Sequence, residues 1–240
     1  MSDGFYPEPV TDLAIIDLHD ATGDQELVER TYHAVLRPSF TSDELSGVHA
    51  VRPGPQRLLT VAVNDERAPL GAAVTELEPD GVSLLAYLAV AAAARNLGAG
   101  ARLVAHLRQN WRAAGYPLVL AEVHDPRGHA EAEHERPQAR LRFYGRAGAE
   151  VLDVPWVQPA LDGGSRVSDM LLLALHRSEG PAQVPSAPLL AWAEEYFVES
   201  EGRVPDDPQA SALLQRIGAR DVIALLSMDD WRQVQRLSVS

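Results

Sequence analysis

The sequence predicts an α/β protein of the α+β type, in which one seven-stranded sheet is flanked by helices and followed by a small all-helical extension. Between residues 13 and 176, seven short apolar segments alternate with segments of helical period. Beyond residue 178 the pattern is helical only. With 240 residues, 46% of them hydrophobic and 23% charged, the composition is that of a globular protein. We therefore expect a main domain over residues 1–178 and an extension over 179–240.

Four strands and two helices are expected in the first part of the chain. Short apolar and β-branched runs bounded by turn residues predict strands over 13–18, 58–63, 70–77 and 82–90. Apolar residues at helical spacing predict a helix over 22–36, and Thr41 with Glu44 forms a capping signature for a short helix over 39–47. Both faces of the fourth strand are largely apolar, as expected for a central strand covered on two sides.

Helices and strands also alternate in the second part. Apolar positions define one face of a helix over 98–114, and Gly115 ends it. The later elements are a buried strand over 117–123, a polar loop over 124–138, a helix over 139–147, strands over 151–157 and 167–176, and extension helices over 188–198, 208–217 and 228–237. The extension is too small for a core of its own, so we expect it to pack on the main domain or on a second copy in a homodimer.

The composition excludes several kinds of chemistry. The chain has no cysteine, which removes disulfide scaffolds, zinc fingers, iron–sulfur clusters and cysteine nucleophiles. All 21 basic residues are arginine, so Schiff-base chemistry and a Walker-type phosphate loop, which need lysine, are excluded as well. The net charge of −13 repels a phosphate backbone, so no nucleic-acid partner is expected.

Membrane and export signals are not expected either. No segment approaches the ~20 apolar residues that span a bilayer. The N-terminus carries acidic residues where a signal peptide has positive charge, and no apolar core follows it. We therefore expect a cytoplasmic protein without a membrane partner.

The stretch most informative about function connects the fourth strand to the next helix. It reads Arg95-Asn96-Leu97-Gly98-Ala99-Gly100 and opens directly into that helix. Such a turn leaves backbone N–H groups unpaired at the positive end of the helix dipole, which suits a diphosphate. A dinucleotide fingerprint fits poorly, because Leu103 stands at the third glycine position. A glycine-rich helix start that binds nothing is the other alternative.

Two motifs resemble those of a known family. The R-x-x-G-x-G pattern, preceded by a strand that ends in Leu88-Ala89-Val90, is similar to motif A of the GNAT superfamily of acetyl-CoA-dependent N-acetyltransferases. Downstream, the A-x-x-x-F-Y-x-x-x-G pattern of residues 139–148 is similar to the family's motif B. The motifs stand in the family's order, and the elements over 13–176 follow the family's element order. The resemblance implies a GNAT fold, with a mixed, mostly antiparallel sheet whose central strands splay apart.

The distribution of charge supports an anionic ligand independently of this resemblance. Residues 81–121 contain no acidic residue and four arginines, and residues 136–149 again contain no acidic residue and four arginines. These two segments are positive islands in an acidic chain, and they coincide with the two motifs. An anion such as coenzyme A would be drawn there. Several of the arginines are expected to be solvated on helix faces, and Arg95 is the one most suited to the ligand.

The resemblance implies that acetyl-CoA is the co-substrate and assigns residues to it. The backbone of Leu88 and Val90 would bind the pantetheine arm. The N–H groups of the turn would hold the pyrophosphate; its residues are Arg95, Asn96, Leu97, Gly98, Ala99 and Gly100. Tyr144 aligns with the tyrosine that commonly protonates the departing thiolate, a reasonable role for a phenol at neutral pH. The alternative for Tyr144 is an aromatic packing role.

Three residues are candidates for the general base. Direct transfer requires a neutral amine, so a carboxylate or histidine should accept its proton. Glu122 and His124 share one face at the end of the fifth strand, and Glu76 on the third strand is a further candidate. Because buried strand glutamates seldom occur without a partner, Glu122 is the first choice and His124 is alternatively a loop residue.

The region after the fifth strand departs from the family. An asparagine often stands there, whereas this chain reads His124-Asp125-Pro126. His124, His129 and His134 recur every five residues among glutamates, but this spacing suits neither a helix face nor the usual two-histidine metal motif. We expect a mobile, solvated loop beside the acceptor site, and no metal.

The predicted function is transfer of an acetyl group from acetyl-CoA to a primary amine by direct attack. Phe40, Glu76, Trp156 and Gln158 are the candidate acceptor-site residues, with core packing as the alternative for the aromatics. The acidic remainder of the chain favours a cationic small molecule or peptide amine as acceptor. The alternative is a non-catalytic module that binds CoA or a protein. Transfer of a longer acyl chain is a third reading, because the sequence does not give the pocket volume.

Overall fold

The computed structural model describes residues 13–20, 24–41, 44–45, 47–95, 97–130, 136–161 and 163–237. The strands are β1 (Ala14–Leu18), β2 (Arg57–Val63), β3 (Pro69–Glu76), β4 (Val82–Val90), β5 (Leu118–His124), β6 (Glu150–Gln158), β7 (Val167–Arg177), β8 (Gln183–Pro185) and β9 (Val222–Leu226). The α-helices are α1 (Gln25–Thr31), α2 (Ala99–Ala114), α3 (Pro137–Arg146), α4 (Ser186–Glu201) and α5 (Pro208–Gly218). In the described ranges, no helix is long and apolar enough to cross a membrane.

The strands form one mixed sheet in the order β1-β2-β3-β4-β5-β7-β6-β9-β8. Only the β4–β5 pair is parallel; every other neighbouring pair of these strands is antiparallel. The predicted α/β class with a mostly antiparallel sheet is therefore confirmed. All seven predicted strands are present, with ends within one or two residues of the expected positions.

The extension differs from the all-helical prediction, and the sheet has nine strands rather than seven. β9 pairs with β6 and β8 pairs with β9, so both strands continue the main sheet. The run Val222–Leu226 is only five residues long, and the edge of β6 offers it backbone partners that its own periodicity does not reveal. The predicted last helix over 228–237 is a 3₁₀ segment over Met228–Gln233. The domain boundary at residue 178 stays a prediction.

Two helices expected in the first part of the chain also differ from expectation. The helix expected over 22–36 is α1 followed by a π-helical segment over Tyr32–Leu36, with Asp24 as its N-cap. In the short helix expected over 39–47, positions 42, 43 and 46 lie outside the described residues, but Thr41 donates to Glu44 from both its N–H and its hydroxyl.

The described part of the polar loop, residues 124–130, is hydrogen-bonded to a distant part of the chain. Asp125 is buried and accepts hydrogen bonds from Arg127. Arg127 in turn donates to the carbonyl oxygens of Arg232 and Val234 near the C-terminus. A buried carboxylate and an arginine thus connect this segment to the C-terminal part of the chain, which the sequence did not indicate, and the mobility of the loop stays a prediction.

The two faces of the sheet are covered by different helices. Val119, Ala121 and Val123 of β5 pack in one apolar cluster with residues of α2 and α3. Leu118 and Leu120, on the opposite face, pack in another cluster with residues of α4 and α5. The helices of the extension therefore cover the face of the central strands that α2 and α3 leave open.

Candidate active site

The two central strands separate part-way along their length. β4 and β5 pair only at Val82–Leu118, Ser83–Val119 and Leu84–Leu120. Beyond these pairs β4 continues to Val90 and β5 to His124. A cleft therefore opens between the strands, as the GNAT resemblance implies, and the residues beyond the last pair border it.

The backbone of β4 presents hydrogen-bonding groups to this cleft. Ala91 donates its N–H to the carbonyl of Leu70, which places the backbone groups of Ala91 on the β3 side. Because the backbone groups of successive residues alternate between the two sides of a strand, those of Leu88 and Val90 face the β5 side. β5 has already diverged there, so these groups are available to an extended ligand.

The turn before α2 has the conformation that its glycines permit. Gly98 is the N-cap of α2 and has a left-handed φ of +79°. A Cβ on Gly100 would lie 3.3 Å from Val90 Cγ2 and 3.5 Å from the Phe143 ring, so a larger residue there would crowd the start of the helix. N–H groups in the first turn of a helix have no intrahelical partner, and they lie at the positive end of the dipole. Arg95 and Leu97 are exposed beside this turn, and Asn96 lies outside the described residues.

Two arginines of the positive islands have structural partners. Arg102 donates to the carbonyl of Leu13, and Arg108 donates to the carbonyl of Ala147 at the end of α3. Burial lowers the pKa of Arg108, and Arg112 adds to this effect. Arg108, Arg112 and Arg146 line a groove between α2 and α3 that begins at Gly98. Arg108 therefore ties α2 to the end of α3, and Arg108, Arg112 and Arg146 place positive charge along the groove.

Tyr144 lies on the same face of the sheet as this groove. It is 6% exposed and packs in the cluster of α2, α3 and β5 residues. Its ring meets Phe143 edge-on at 5.1 Å. Burial raises the pKa of Tyr144 to about 12, although Arg140 acts in the opposite direction. The phenol therefore keeps its proton at neutral pH.

A cavity of about 420 Å³ lies on the opposite face of the sheet. Its walls include Phe40, Glu44, Glu76, Glu122, His124, Gln158, Tyr196 and Glu199. A bulge in β4 contributes to its shape: Thr75 pairs with Leu85 and Val74 with Tyr87, which leaves Ala86 as the extra residue. A bulge places consecutive side chains on the same face, and both Ala86 and Tyr87 line the cavity.

Glu122 lies two residues beyond the last β4–β5 pair and faces this cavity. Trp156 Nε1 donates to its Oε1 at 2.5 Å, while Gln158 Nε2 and the Tyr196 hydroxyl donate to its Oε2 at 2.9 and 3.1 Å. Burial raises the pKa of Glu122 to about 7; the three hydrogen bonds lower it and the nearby Glu76 raises it. Such a carboxyl can gain and lose a proton near neutral pH.

The other two candidate bases also line the cavity but differ in their surroundings. Glu76 lies 3.5 Å from Arg57, as an ion pair. His124 is buried, and its ring lies 4.2 Å from the ring of His129. His134 lies outside the described residues. In the part of the chain that the structure describes, no three carboxylate, histidine or cysteine side chains are grouped so as to hold a metal ion.

Some of the predicted acceptor residues line the cavity, and one contacts Glu122 from behind the cavity wall. Phe40 lines the cavity and meets Tyr87 edge-on at 5.1 Å. Gln158 lines it as well, whereas Trp156 is only 1% exposed and contributes through its hydrogen bond to Glu122. Whether this cavity receives the acceptor stays a prediction.

Sequence reasoning missed the contribution of α4. Tyr196, Glu199 and Ser200 of this helix line the cavity, and Trp192 stacks on Trp156 with 5.2 Å between ring centroids. The aromatic spacing of Trp192 and Tyr196, one helical turn apart, was the available signal. It does not reveal which part of the main domain the helix covers.

Comparison with known proteins gives one family. The chain matches the acetyltransferase (GNAT) family over residues 24–139. Among solved structures it is similar to the ribosomal-protein-S18-alanine N-acetyltransferase from Escherichia coli, with 18% identity, 70% of this chain and 96% of that chain covered, and a TM-score of 0.47. It is also similar to a GNAT family acetyltransferase from Elizabethkingia anophelis with acetyl-CoA bound (16% identity, 68% and 97% covered, TM-score 0.44). An aminoglycoside 6'-N-acetyltransferase complexed with coenzyme A gives 16% identity, 70% and 99% covered, and a TM-score of 0.46. No curated protein matches the chain.

Proposed function

We infer that this chain, which belongs to the acetyltransferase (GNAT) family, transfers the acetyl group of acetyl-CoA directly to a primary amine. Family membership makes it an N-acetyltransferase; the direct attack, the residue roles and the acceptor class are the proposal. The observation that carries it is the placement of Glu122, which borders the cleft between β4 and β5 and faces a cavity on the side away from α2.

The cleft and the turn before α2 fit acetyl-CoA as the donor substrate. The backbone groups of Leu88 and Val90 face the cleft, which suits the amide-containing pantetheine arm. The first turn of α2 supplies unpaired N–H groups for the pyrophosphate, and the exposed Arg95 adds positive charge. Leu97, Ala99 and Gly100 belong to the same turn, and we assign them, with Asn96, to this site as predicted.

Glu122 and Tyr144 lie on opposite faces of the sheet, which suits the two proton transfers of the reaction. Glu122 accepts a proton as the amine nitrogen attacks the thioester carbon. The C–S bond then breaks, and Tyr144 donates its proton to the departing thiolate. Exchange with water returns both residues to their starting states, so the products are the acetylated amine and CoA.

The lining of the cavity supports a cationic acceptor. Glu44, Glu76, Glu122 and Glu199 contribute carboxylates, and Arg57 and Arg140 contribute positive charge. Arg57 is paired with Glu76. The remaining excess of carboxylates would attract an amine with a second positive charge, such as a polyamine, an aminoglycoside or the basic end of a peptide.

The test combines binding with turnover. Calorimetric titration of the full chain with acetyl-CoA should show binding, and a screen of cationic amines for free CoA release should identify acceptors. With an active acceptor, Glu122→Gln should lower kcat at least 100-fold while the Kd for acetyl-CoA changes no more than threefold. Glu76→Gln is the matched control, because it removes a carboxylate from the same cavity.

Each alternative has its own result. A larger kcat loss in Glu76→Gln or His124→Gln than in Glu122→Gln would contradict the assignment of the base. Binding of acetyl-CoA without turnover of any amine would favour the non-catalytic module. Turnover of longer acyl-CoA donors at equal or higher rates would extend the donor class.

A further inference from the structure

Helix α4 lies outside the residues that match the family and brings a phenol to the carboxylate of Glu122. We propose that Tyr196 is a positioning residue for Glu122: the Tyr196 hydroxyl favours the ionised form of the Glu122 carboxylate and fixes which of its oxygens receives a proton. The inference rests on the proposed function only where Glu122 is taken as the base. If it is correct, residues of the extension belong to the part of the site that receives the acceptor amine.

The hydrogen bonds of Glu122 are distributed unevenly between its two oxygens. Oε2 accepts from both Tyr196 and Gln158, and Oε1 accepts from Trp156. Each carboxylate oxygen has about two lone-pair positions, so these donors fill Oε2 and leave one position on Oε1. A proton taken from the acceptor amine would therefore be held at Oε1. Without the Tyr196 hydroxyl, Oε2 would become an equivalent position.

Tyr196 is suited to act as a permanent donor. Burial and the carboxylates of Glu122 and Glu76 raise its pKa well above the ordinary value for tyrosine, so the hydroxyl keeps its proton. Its ring is held in an aromatic cluster, with centroids 5.5 Å from Trp192 and 6.4 Å from Trp156. Because Trp156 is itself a donor to Glu122, the cluster fixes two of the three donors relative to each other.

Other charged and titratable groups also face the cavity and could shift the pKa of Glu122. They are Arg57 on β2, Glu76 on β3, Tyr87 on β4, His124 on β5, Arg140 on α3, Glu199 on α4, and Glu44 and His49 between α1 and β2. Among these, Glu76 is the neighbour that raises the pKa of Glu122 by its charge. A Tyr196→Phe change leaves all of them in place and removes only the hydroxyl.

The experiment measures the Glu122 pKa directly and through activity. Carboxyl ¹³C NMR of the full chain, with the Glu122 signal assigned by its loss in Glu122→Gln, gives the titration curve in wild type and in Tyr196→Phe. We expect Tyr196→Phe to raise this pKa by about one unit, because a hydrogen bond to the charged form is lost. The acid limb of the pH profile of kcat/KM should shift to higher pH by the same amount. This shift lowers kcat/KM about tenfold at pH 6 and less than twofold above pH 9.

The control variant is Trp192→Phe. Trp192 belongs to the same aromatic cluster, but the hydrogen bonds of Glu122 to described residues come from Trp156, Gln158 and Tyr196. We expect Trp192→Phe to lower the Tm and to leave the NMR pKa and the acid limb in place. An equal shift in both variants would overturn the proposal, because packing rather than the hydroxyl would then be responsible.

The remaining outcomes separate this proposal from the proposed function. If neither the NMR pKa nor the acid limb moves in Tyr196→Phe, the positioning role is overturned, whatever Glu122→Gln does to turnover. If the NMR pKa moves and the acid limb does not, Tyr196 acts on Glu122 as proposed, and Glu122 is not the base.

Discussion

The two halves of the candidate site are built in different ways. The half proposed to bind acetyl-CoA, called the cofactor half, comes from one continuous region, residues 88–148, and would use backbone groups of β4 and of the first turn of α2. The half proposed to bind the amine, called the acceptor half, is a cavity lined by side chains as far apart in sequence as Phe40 and Ser200. A turn that binds through its backbone groups needs only a few glycines in the right order. A cavity lined by side chains depends on the packing of many elements.

The halves also differ in charge. Arginines line the groove beside α2, and glutamates dominate the cavity beneath α4. An anionic donor and a cationic acceptor would thus be drawn to opposite faces of the sheet and would meet at the cleft between β4 and β5. A substitution in either half should therefore affect one substrate and not the other. The effects of the two halves can then be measured separately.

The largest effect is expected at Tyr144, the one side chain of the cofactor half with a proposed chemical role. Tyr144→Phe keeps the buried ring and removes the hydroxyl, so kcat should fall about 100-fold or more while the Kd for acetyl-CoA stays within threefold. Steady-state kinetics and calorimetry measure the two quantities. Phe143→Leu, which changes the adjacent ring, is the control for packing. Full activity in Tyr144→Phe would show that this half contributes backbone and packing alone.

A second effect, on stability, distinguishes the acceptor half. The pKa of Glu122 is about 7 in the folded chain against an ordinary value of 4.5, so the unfolded chain ionises first as pH rises. The free energy of unfolding therefore decreases as the pH rises from about 4.5 to about 7. The full loss, up to ~3 kcal/mol, is present above pH 7. Glu122→Gln should raise the free energy of unfolding by up to that amount at pH 8.5 and change it little at pH 4.5. Urea denaturation at both values measures this, and a gain at pH 4.5 equal to that at pH 8.5 would contradict the ionisation argument.

The same contrast explains what the sequence could predict. The strands, α2, α3 and the glycine turn are specified by local periodicity and local motifs, and the structure has them close to the expected positions. The choice of Glu122 as first candidate also came from a local signal, a glutamate within an apolar strand. Its role as base stays a prediction.

The parts that sequence reasoning missed all depend on contacts distant in sequence. β9 is a strand because the edge of β6 is open to it, and Tyr196 reaches Glu122 across 74 residues of chain. The anchored loop after β5 depends on Arg127 and on carbonyl groups more than 100 residues away. A periodicity of two or of 3.6 carries no information about which distant segment an element will meet.

The smallest effect is expected at the glycine turn before α2, where Gly98, the N-cap of this helix, can be compared with Gly115, its C-cap. Gly98 and Gly115 have φ values of +79° and +77°, and a Cβ at either position would meet no atom within 4 Å. Alanine at either site should therefore cost about 1 kcal/mol of stability through backbone conformation alone. Only Gly98→Ala lies at the turn proposed for the pyrophosphate, so it alone should raise the KM for acetyl-CoA, by a few fold, while the KM for the amine stays unchanged. Equal KM values in the two variants would show that the turn does not hold the donor.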